Sequence, residues 1–334
     1  MVRIPYKEMR QVFHSILVKN RFSQTDAETC SEVFATNSLE GVYSHGVNRF
    51  PKFIDDVEHG YIIPLAKLRL KHAGGNLEQW DGALAPGPLN AIHATNRAIA
   101  LAQKNTIGCV ALANTNHWMR GGYYAWHAAT QQCILIAWTN TIANTPAWGA
   151  RDARLGNNPF VMGIPYKDSA IVMDMAMSQY AHGKLQVYAS QNQPLEVPGG
   201  YDESGNLSTD ASAILASDRK LPMGYWKGAG MSLLLDILAM VLSNGKSVSQ
   251  ISESKIEYAI SQVFIAIDMK SLPNHPSVNS AIEEVLADYL SSIPVNEKTK
   301  IVYPGQTVQR KKQENLINGI PVDDKIWEAI LALQ

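Results

Sequence analysis

The stretch PFVMGIPYKDSAIVMDMA, residues 159–176, contains two apolar segments that are separated by only four residues, YKDS. A connection this short joins neighbouring antiparallel strands, because a parallel pair needs a crossover of a dozen or more residues. The stretch therefore predicts a β-hairpin, and part of the sheet that contains it should be antiparallel.

Helical and strand-like segments alternate on both sides of this hairpin. The segments PLNAIHATNRAIALAQKN (88–105) and GGYYAWHAATQQ (121–132) have apolar residues at helical spacing. The segments IGCVALAN (107–114), CILIAWTNT (133–141) and ISQVFIAIDM (260–269) are typical of buried strands. This alternation predicts a sheet that is covered by helices.

Both ends of the chain are expected to be helical. Residues 5–41 have the pattern of two helices, and two more are expected around QRKKQENLIN (309–318) and DDKIWEAILAL (323–333). Residues 189–215, rich in Asn, Gln, Pro, Gly and Asp, form the longest loop-like segment. Loops of that length are usually functional, so this segment is a candidate lid over a site.

Composition and charge disfavour several classes of protein. The 334 residues are 46% apolar, enough to fill one large or two smaller cores. The formal net charge is −1, without a long run of Lys or Arg, so neither a nucleic-acid nor a membrane partner is expected. Three cysteines without C-x-x-C spacing, and an N-terminus without a signal-peptide core, predict a cytoplasmic protein. The longest apolar run, Met231 to Leu242, is too short to cross a bilayer and contains Asp236.

The stretch GVYSHGVNRF, residues 41–50, combines an imidazole with a guanidinium. A helix is predicted to start near Ser44, a good N-cap, which would place His45 and Arg49 on one face. Gly46 would let a ligand approach the backbone closely. An acid/base group beside a carboxylate clamp suits proton transfer next to a carboxylate, and the reduction of a 2-keto acid is one such reaction.

The stretch NTNHWMRGGYYAW, residues 114–126, places His117 and Arg120 between a predicted strand and a predicted helix. Polar groups at the carboxyl end of a strand, beside a helix N-terminus, commonly face a ligand. His117 could equally be an ordinary turn residue. The aromatic residues of the stretch are expected to belong to the core.

The stretch GYWKGAGMSLLLDIL, residues 224–238, has glycines before a helix that is predicted from about Met231. Backbone N–H groups there could hold a phosphate, with Lys227 as a point charge and Trp226 stacked on a flat ring. The stretch lacks the third glycine of the dinucleotide-binding fingerprint, and no clear strand precedes it.

Metal and hydrolase chemistry have weaker signals in this sequence. None of the nine histidines has H-x-x-x-H or H-E-x-x-H spacing, so a zinc site would have to be assembled from distant residues. No G-x-S-x-G motif of a serine hydrolase occurs. We therefore expect no metal ligands.

Taken in order, these stretches resemble the malate/L-lactate dehydrogenase type of NAD(P)H-dependent oxidoreductase, which is unrelated to the Rossmann dehydrogenases. The resemblance covers essentially the whole chain. The stretches that carry it are YSHGVNRF (43–50), NHWMRGGYYAW (116–126), WTNTIANTPAWGA (138–150), LGNNPFVMGIP (155–165), VMDMAMSQYAHGK (172–184), LPMGYWKGAGMSLLLD (221–236) and YPGQT (303–307).

The resemblance implies an α+β fold with a mixed, largely antiparallel sheet that is covered by helices. It implies a helical domain of residues 1–75 and 305–334, which carries the catalytic histidine, and a nucleotide-binding domain of residues 76–304. It also implies a homodimer.

The resemblance further implies roles for individual residues, with His45 as the proton donor. The residues expected to bind substrate are Ser44, Arg49, His117, Arg120 and Asn140. The residues expected to bind the cofactor are Ala170, Ile171, Val172, Met173, Asp174, Met175, Ala176, Trp226, Lys227, Gly305, Gln306 and Thr307.

The expected cofactor is NADH, with NADPH as the alternative, and the expected substrate is a small 2-keto acid. The stretches SHGVNRFPKFI, NHWMRGG and LPMGYWKG look most like members of the family that reduce the C2 keto group of a sugar-derived acid. Other members of the family act on malate, lactate or ureidoglycolate. Alternatives from other classes are a metal-assisted sugar-acid lyase or hydrolase and a non-enzymatic sensor.

Overall fold

The structure, a computed structural model, describes residues 1–297 and 299–334. The β-strands are β1 (Val2–Ile4), β2 (Arg69–Gly74), β3 (Leu77–Asp81), β4 (Ile107–Thr115), β5 (Cys133–Thr139), β6 (Ala143–Pro146), β7 (Ala153–Gly156), β8 (Phe160–Tyr166), β9 (Ser169–Met175), β10 (Gly200–Tyr201), β11 (Leu207–Ser208), β12 (Ile260–Asp268) and β13 (Ile320–Val322). The α-helices are α1 (Tyr6–Lys19), α2 (Gln24–Leu39), α3 (Phe50–Glu58), α4 (Gly87–Asn105), α5 (Gly121–Thr130), α6 (His182–Ser190), α7 (Ala211–Ser217), α8 (Trp226–Ser243), α9 (Val248–Ser252), α10 (Val278–Leu290), α11 (Gln306–Asn318) and α12 (Asp324–Leu331).

Strands β8 and β9 form the hairpin that the sequence predicts. They pair antiparallel along their whole length, from Phe160 opposite Met175 to Tyr166 opposite Ser169. Lys167 in the two-residue turn has a φ of 53°, the left-handed conformation that tight hairpin turns require.

The main sheet has seven strands in the order β2-β3-β4-β12-β5-β8-β9. Five of its six neighbouring pairs are antiparallel, and only β3 and β4 run parallel. This confirms the mixed, largely antiparallel sheet.

Both faces of the sheet are covered, so its central strands are apolar on both sides. Val110 and Leu112 of β4 belong to the core under α4 and α5, whereas Ala111 between them belongs to the core under α8. In β12, Phe264 belongs to the core under α4 and α5, and Val263 belongs to the core under α8. Successive side chains of a strand point to opposite faces, which explains why these segments are continuously apolar.

The two ends of the chain meet in one further core. Strand β1 pairs antiparallel with β13, with Ile4 opposite Ile320. Phe13 of α1, Phe50 of α3 and Ile330 of α12 are buried in the same cluster. The rings of Phe13 and Phe50 stack at 4.1 Å between centroids. Strand β2, which lies before residue 75, pairs into the main sheet instead.

Two predicted helix starts are wrong. Helix α3 begins at Phe50 and not at Ser44, because Pro51 occupies its first turn; a short 3₁₀ turn, Tyr43–His45, precedes it. Helix α8 begins at Trp226, five residues before the predicted start at Met231, since neither Gly228 nor Gly230 interrupts it.

The predicted long loop at residues 189–215 is also partly wrong. The end of α6, the antiparallel pair β10 and β11, and most of α7 lie within it. Leu195 and Ile214 of this segment pack with Tyr180 and Leu185, which precede it, in a small buried core. This segment therefore has a packed structure of its own.

Helix α8 is long and apolar enough to cross a membrane by length and composition alone. One of its faces is bonded to the sheet: Trp138 Nε1 donates to the Leu235 carbonyl at 3.1 Å, and Asp236 accepts from Asn140 Nδ2 at 2.9 Å. Leu235 and Ala239 are buried in the core on that side of the sheet. These contacts pack one face of α8 against the sheet.

Candidate active site

The loop that carries His45 is fixed from behind by α2. Asn37 Nδ2 donates to the His45 carbonyl at 3.0 Å, and the Val47 N–H donates to Ser38 Oγ at 2.8 Å. A Cβ on Gly46 would lie only 2.2 Å from Ser38 Oγ. Gly46 therefore permits close packing of the loop on α2, and the expectation that it admits a ligand is corrected.

The His45 imidazole is half-buried, with Nδ1 at 3.0 Å from Ser44 Oγ. Burial lowers the pKa of His45; Asp174 opposes this shift, whereas the cations Arg49 and Arg120 add to it. A bound carboxylate would favour the protonated ring in the same way as Asp174 does. The site is therefore suited to charge His45 when an anionic substrate is present.

The His117 ring lies nearly parallel to that of His45, with 5.6 Å between centroids and 19° between planes. Its Nδ1 accepts a hydrogen bond from the Met119 N–H at 3.0 Å, so the ring proton of the neutral form must be on Nε2. Burial, Arg49 and His45 hold the pKa of His117 well below its ordinary value. His117 is thus a neutral N–H donor beside His45.

The Arg49 guanidinium is half-buried at the start of α3. Within residues 1–297 and 299–334, no carboxylate oxygen lies within 4 Å of it, and its side chain makes no hydrogen bond. It nevertheless lowers the pKa values of His45, His117, His182 and Glu257. A cation without a partner at the centre of these groups is available to an external carboxylate.

Arg120, by contrast, is already paired. It is only 4% exposed, forms a buried ion pair with Glu40, and stacks over the Trp126 ring at 4.7 Å. Lys312 of α11 contacts the other carboxylate oxygen of Glu40 at 3.1 Å. The Nε atom of Arg120 is 3.9 Å from Asp174 Oδ2. Arg120 therefore supports the site from behind, and the structure does not place it as a direct substrate ligand.

Asn140 is fully buried. Its Nδ2 donates to Asp236 Oδ1 and to the Lys246 carbonyl, at 2.9 and 2.7 Å, and its Oδ1 accepts from the Ser261 N–H at 2.8 Å. These bonds tie β5 to α8 and β12. Its polar atoms are engaged by the protein in these bonds, and the expectation that Asn140 contacts the substrate stays a prediction.

The predicted cofactor segments 170–176 and 305–307 come together at the edge strand β9. The Val172 N–H donates to the Pro304 carbonyl at 3.3 Å, and a Cβ on Gly305 would lie 3.2 Å from that nitrogen. Asp174 Oδ2 accepts from the Gly122 N–H at 2.7 Å, and its charge opposes the lowering of the His45 pKa by burial.

Trp226 and Lys227 occupy the first turn of α8, where both side chains are exposed. Trp226 is 64% exposed, and Lys227 Nζ lies 6.0 Å from its ring centroid. A backbone hydrogen bond from the Met223 N–H to the Met177 carbonyl, at 2.7 Å, connects this turn to the chain that leaves β9. The predicted cofactor segment at Trp226 and Lys227 is thus near the carboxyl end of the segment 170–176.

Sequence reasoning missed three ionisable neighbours of the site. Asp174 was expected only as part of a cofactor segment, although a carboxylate inside an apolar strand is itself a signal of function. His182 of α6 and Glu257 before β12 come from distant parts of the chain. Within the described parts of the chain, no group of three or more His, Cys, Asp or Glu side chains is arranged to hold a metal ion.

The chain matches the family model described as malate/L-lactate dehydrogenase over residues 4–331. It is 42% identical to the 2,3-diketo-L-gulonate reductase of Escherichia coli over 334 residues, which are 99% of this chain and 100% of that protein. Its fold is similar to that of malate dehydrogenase from Pyrococcus horikoshii, with a TM-score of 0.90 and 26% identity over 99% of this chain and 94% of that one. Malate dehydrogenase from Entamoeba histolytica, 21% identical, shares the fold with a TM-score of 0.94 over 99% and 97% of the two chains. The chain belongs to the malate/L-lactate dehydrogenase family of oxidoreductases.

Proposed function

We propose that this protein reduces the C2 keto group of 2,3-diketo-L-gulonate with NADH, giving 3-dehydro-L-gulonate, with His45 as the proton donor. The name and the full-length 42% identity of the Escherichia coli relative support the substrate. The observation that carries the reaction class is the unpartnered Arg49 guanidinium beside the stacked His45 and His117 rings.

The chain's own residues suit the steps of such a reduction. Arg49 offers two parallel N–H donors that hold the carboxylate of the 2-keto acid in one orientation. His117, neutral with its proton on Nε2, can donate a hydrogen bond to the substrate. His45 then transfers its proton to the keto oxygen as negative charge develops there. Ser44 Oγ orients the His45 ring through Nδ1.

The residues at β9 and at the start of α11 fit a nicotinamide cofactor. Trp126 Nε1 and Gln306 Oε1 are buried without a hydrogen-bond partner in the part of the chain that the structure describes, next to the glycine cradle at residue 305. Buried polar atoms of this kind need a partner, which a polar ligand would supply. When bound, the reduced cofactor supplies the hydride. At the start of α8, Trp226 offers a flat ring and Lys227 a positive charge to the cofactor.

The α8 face opposite the sheet supports the homodimer. Met231, Leu234, Leu238 and Val241 are 38–58% exposed and recur at heptad spacing, as in helices that pack on one another. Apolar side chains in such a row are covered in most soluble proteins. A charged substitution, Leu234→Glu, should convert a dimer into monomers in a sedimentation experiment, and a wild-type monomer would contradict this assignment.

The domain arrangement and the location of the protein are part of the same proposal. The core shared by both chain ends supports a helical domain built from residues 1–75 and 305–334 beside a nucleotide-binding domain of residues 76–304, with β2 contributed to the sheet. A net charge of −1 and three free cysteines are compatible with the reducing cytoplasm.

A substrate panel tests the proposed function. NADH or NADPH consumption would be followed with 2,3-diketo-L-gulonate, pyruvate and oxaloacetate, with and without a chelator. We expect the highest kcat/KM with 2,3-diketo-L-gulonate and NADH, unaffected by the chelator. A higher kcat/KM with another keto acid or with NADPH, or activity that the chelator abolishes, would contradict it.

A further inference from the structure

Helix α6 contacts the loop that carries His45 through Gly183. A Cβ on Gly183 would lie 2.9 Å from Ser44 Cβ and 3.5 Å from Ser44 Oγ. Within residues 1–297 and 299–334, no other atom outside the helix backbone and the two chain neighbours lies within 4 Å of that position. Because a Cβ is one bond length from its Cα, the backbone of α6 packs directly on the Ser44 side chain.

This contact explains why residue 183 is a glycine. Gly183 is the second residue of α6, and its φ is not positive, so the backbone there would accept alanine. Ala is the better helix former, by about 1 kcal/mol. The helix itself therefore gives no reason for a missing side chain, whereas the close approach to Ser44 does.

The position of α6 does not depend on this contact, because α6 belongs to a small core of its own. The residues buried there include Leu185, Leu195 and Ile214. The Gln179 N–H donates to the Leu221 carbonyl at 2.7 Å, which joins the two chain segments that enter and leave this unit. Helix α6 can therefore act as a fixed support for the residue that it contacts.

The Ser44 side chain connects this support to the His45 ring, since Ser44 Oγ lies 3.0 Å from His45 Nδ1. The backbone of the same loop is held by α2, because Asn37 Nδ2 donates to the His45 carbonyl and the Val47 N–H donates to Ser38 Oγ. With its backbone held and α6 against its side chain, Ser44 has little room to turn. Its Oγ is thus kept beside the ring.

We propose that Gly183 is a positioning residue for the reduction: its missing side chain lets α6 hold Ser44, and Ser44 in turn sets the orientation of the His45 ring. This inference rests on the proposed function, in which His45 is the proton donor. A proton donor must meet the keto oxygen at hydrogen-bond distance and in line, so a small displacement of the ring slows the reaction.

Gly183→Ala tests this role with the keto acid that the wild type reduces best in the substrate panel. The added Cβ forces either Ser44 or α6 to move, and kcat should fall by about 10- to 100-fold. The KM for NADH should not change, since the new Cβ would meet only Ser44. Gln186→Ala, at an exposed residue of the same helix, is the control and should keep the wild-type kcat.

A double variant separates positioning from a general effect on the fold. Ser44→Gly removes the Cβ that the new side chain would meet, together with the Oγ that orients the ring, and should itself lower kcat. Adding Gly183→Ala to Ser44→Gly should then change kcat by less than about 2-fold, because the two residues act through one contact. If Gly183→Ala alone does not fold, the double variant should fold and match Ser44→Gly.

A folded Gly183→Ala variant with the wild-type kcat would overturn the inference. So would a double variant that does not fold, or one whose loss is the product of the two single losses. The proposed function is tested separately, by the substrate preference of the wild type. If the wild type prefers another keto acid, the substrate assignment fails, while the same variants compared on that acid still report on Gly183.

Discussion

The His45 and His117 rings stack at 5.6 Å between centroids, and this contact decides which of them carries the proton. Two imidazolium ions at that distance would repel each other, and His45 adds to the effect of burial that lowers the pKa of His117. The Met119 N–H already uses His117 Nδ1 as an acceptor, which favours the neutral form of His117. The proton that moves is therefore assigned to His45.

Arg49→Lys should raise KM for the 2-keto acid by about 10- to 100-fold, because one point charge replaces two parallel hydrogen-bond donors. Steady-state kinetics at saturating NADH would measure this. Arg154→Lys is the matched control, since Arg154 is exposed and, among residues 1–297 and 299–334, paired only with Asp152. An unchanged KM in Arg49→Lys would place the carboxylate clamp elsewhere.

Asp174→Asn should shift the pH profile of reduction to lower pH. Reduction requires protonated His45, so kcat/KM decreases as pH rises through the pKa of His45. Because Asp174 raises that pKa, its removal lowers the protonated fraction at any given pH, and the decline begins at a more acidic pH. Asp168→Asn, in the exposed turn of the same hairpin, should leave the profile in place. A shift to higher pH in Asp174→Asn would be the opposite of what this electrostatic role requires.

Gly46→Ala should lower the free energy of unfolding by about 1–3 kcal/mol, the usual cost of overpacking. The new Cβ would lie 2.2 Å from Ser38 Oγ, so the loop that carries His45 must move. Denaturant unfolding and kcat would both report the change. Gly230→Ala is the control, because nothing lies within 4 Å of its Cβ and Ala is the better helix former. Equal stability of the two variants would show that the loop is not fixed in this way.

Much of the sheet could be predicted from the sequence, since strand pairing there follows local patterns. The short YKDS turn determines the antiparallel pairing of β8 and β9, and the apolar runs of β4, β5 and β12 follow from burial on both faces. The predicted start of α3 at Ser44 was wrong because Pro51 in the first turn determines where the helix begins more strongly than a possible N-cap Ser at residue 44.

The site was harder to predict because its charges come from distant elements. His45 and Arg49 were found in one stretch, but Asp174, which opposes the lowering of the His45 pKa by burial, is separated from them by more than a hundred residues. For Asn140 the sequence could not show that a polar residue after a strand may satisfy buried backbone groups as well as a ligand.

The most direct test of the central claim is the single-turnover rate of His45→Ala at saturating NADH and keto acid, with cofactor binding measured separately by titration. His59→Ala, at an exposed histidine outside the site, is the matched control. We predict a rate about 10²- to 10⁴-fold below that of the wild type, with NADH still bound. A wild-type rate in His45→Ala would contradict the assignment of His45 as the proton donor.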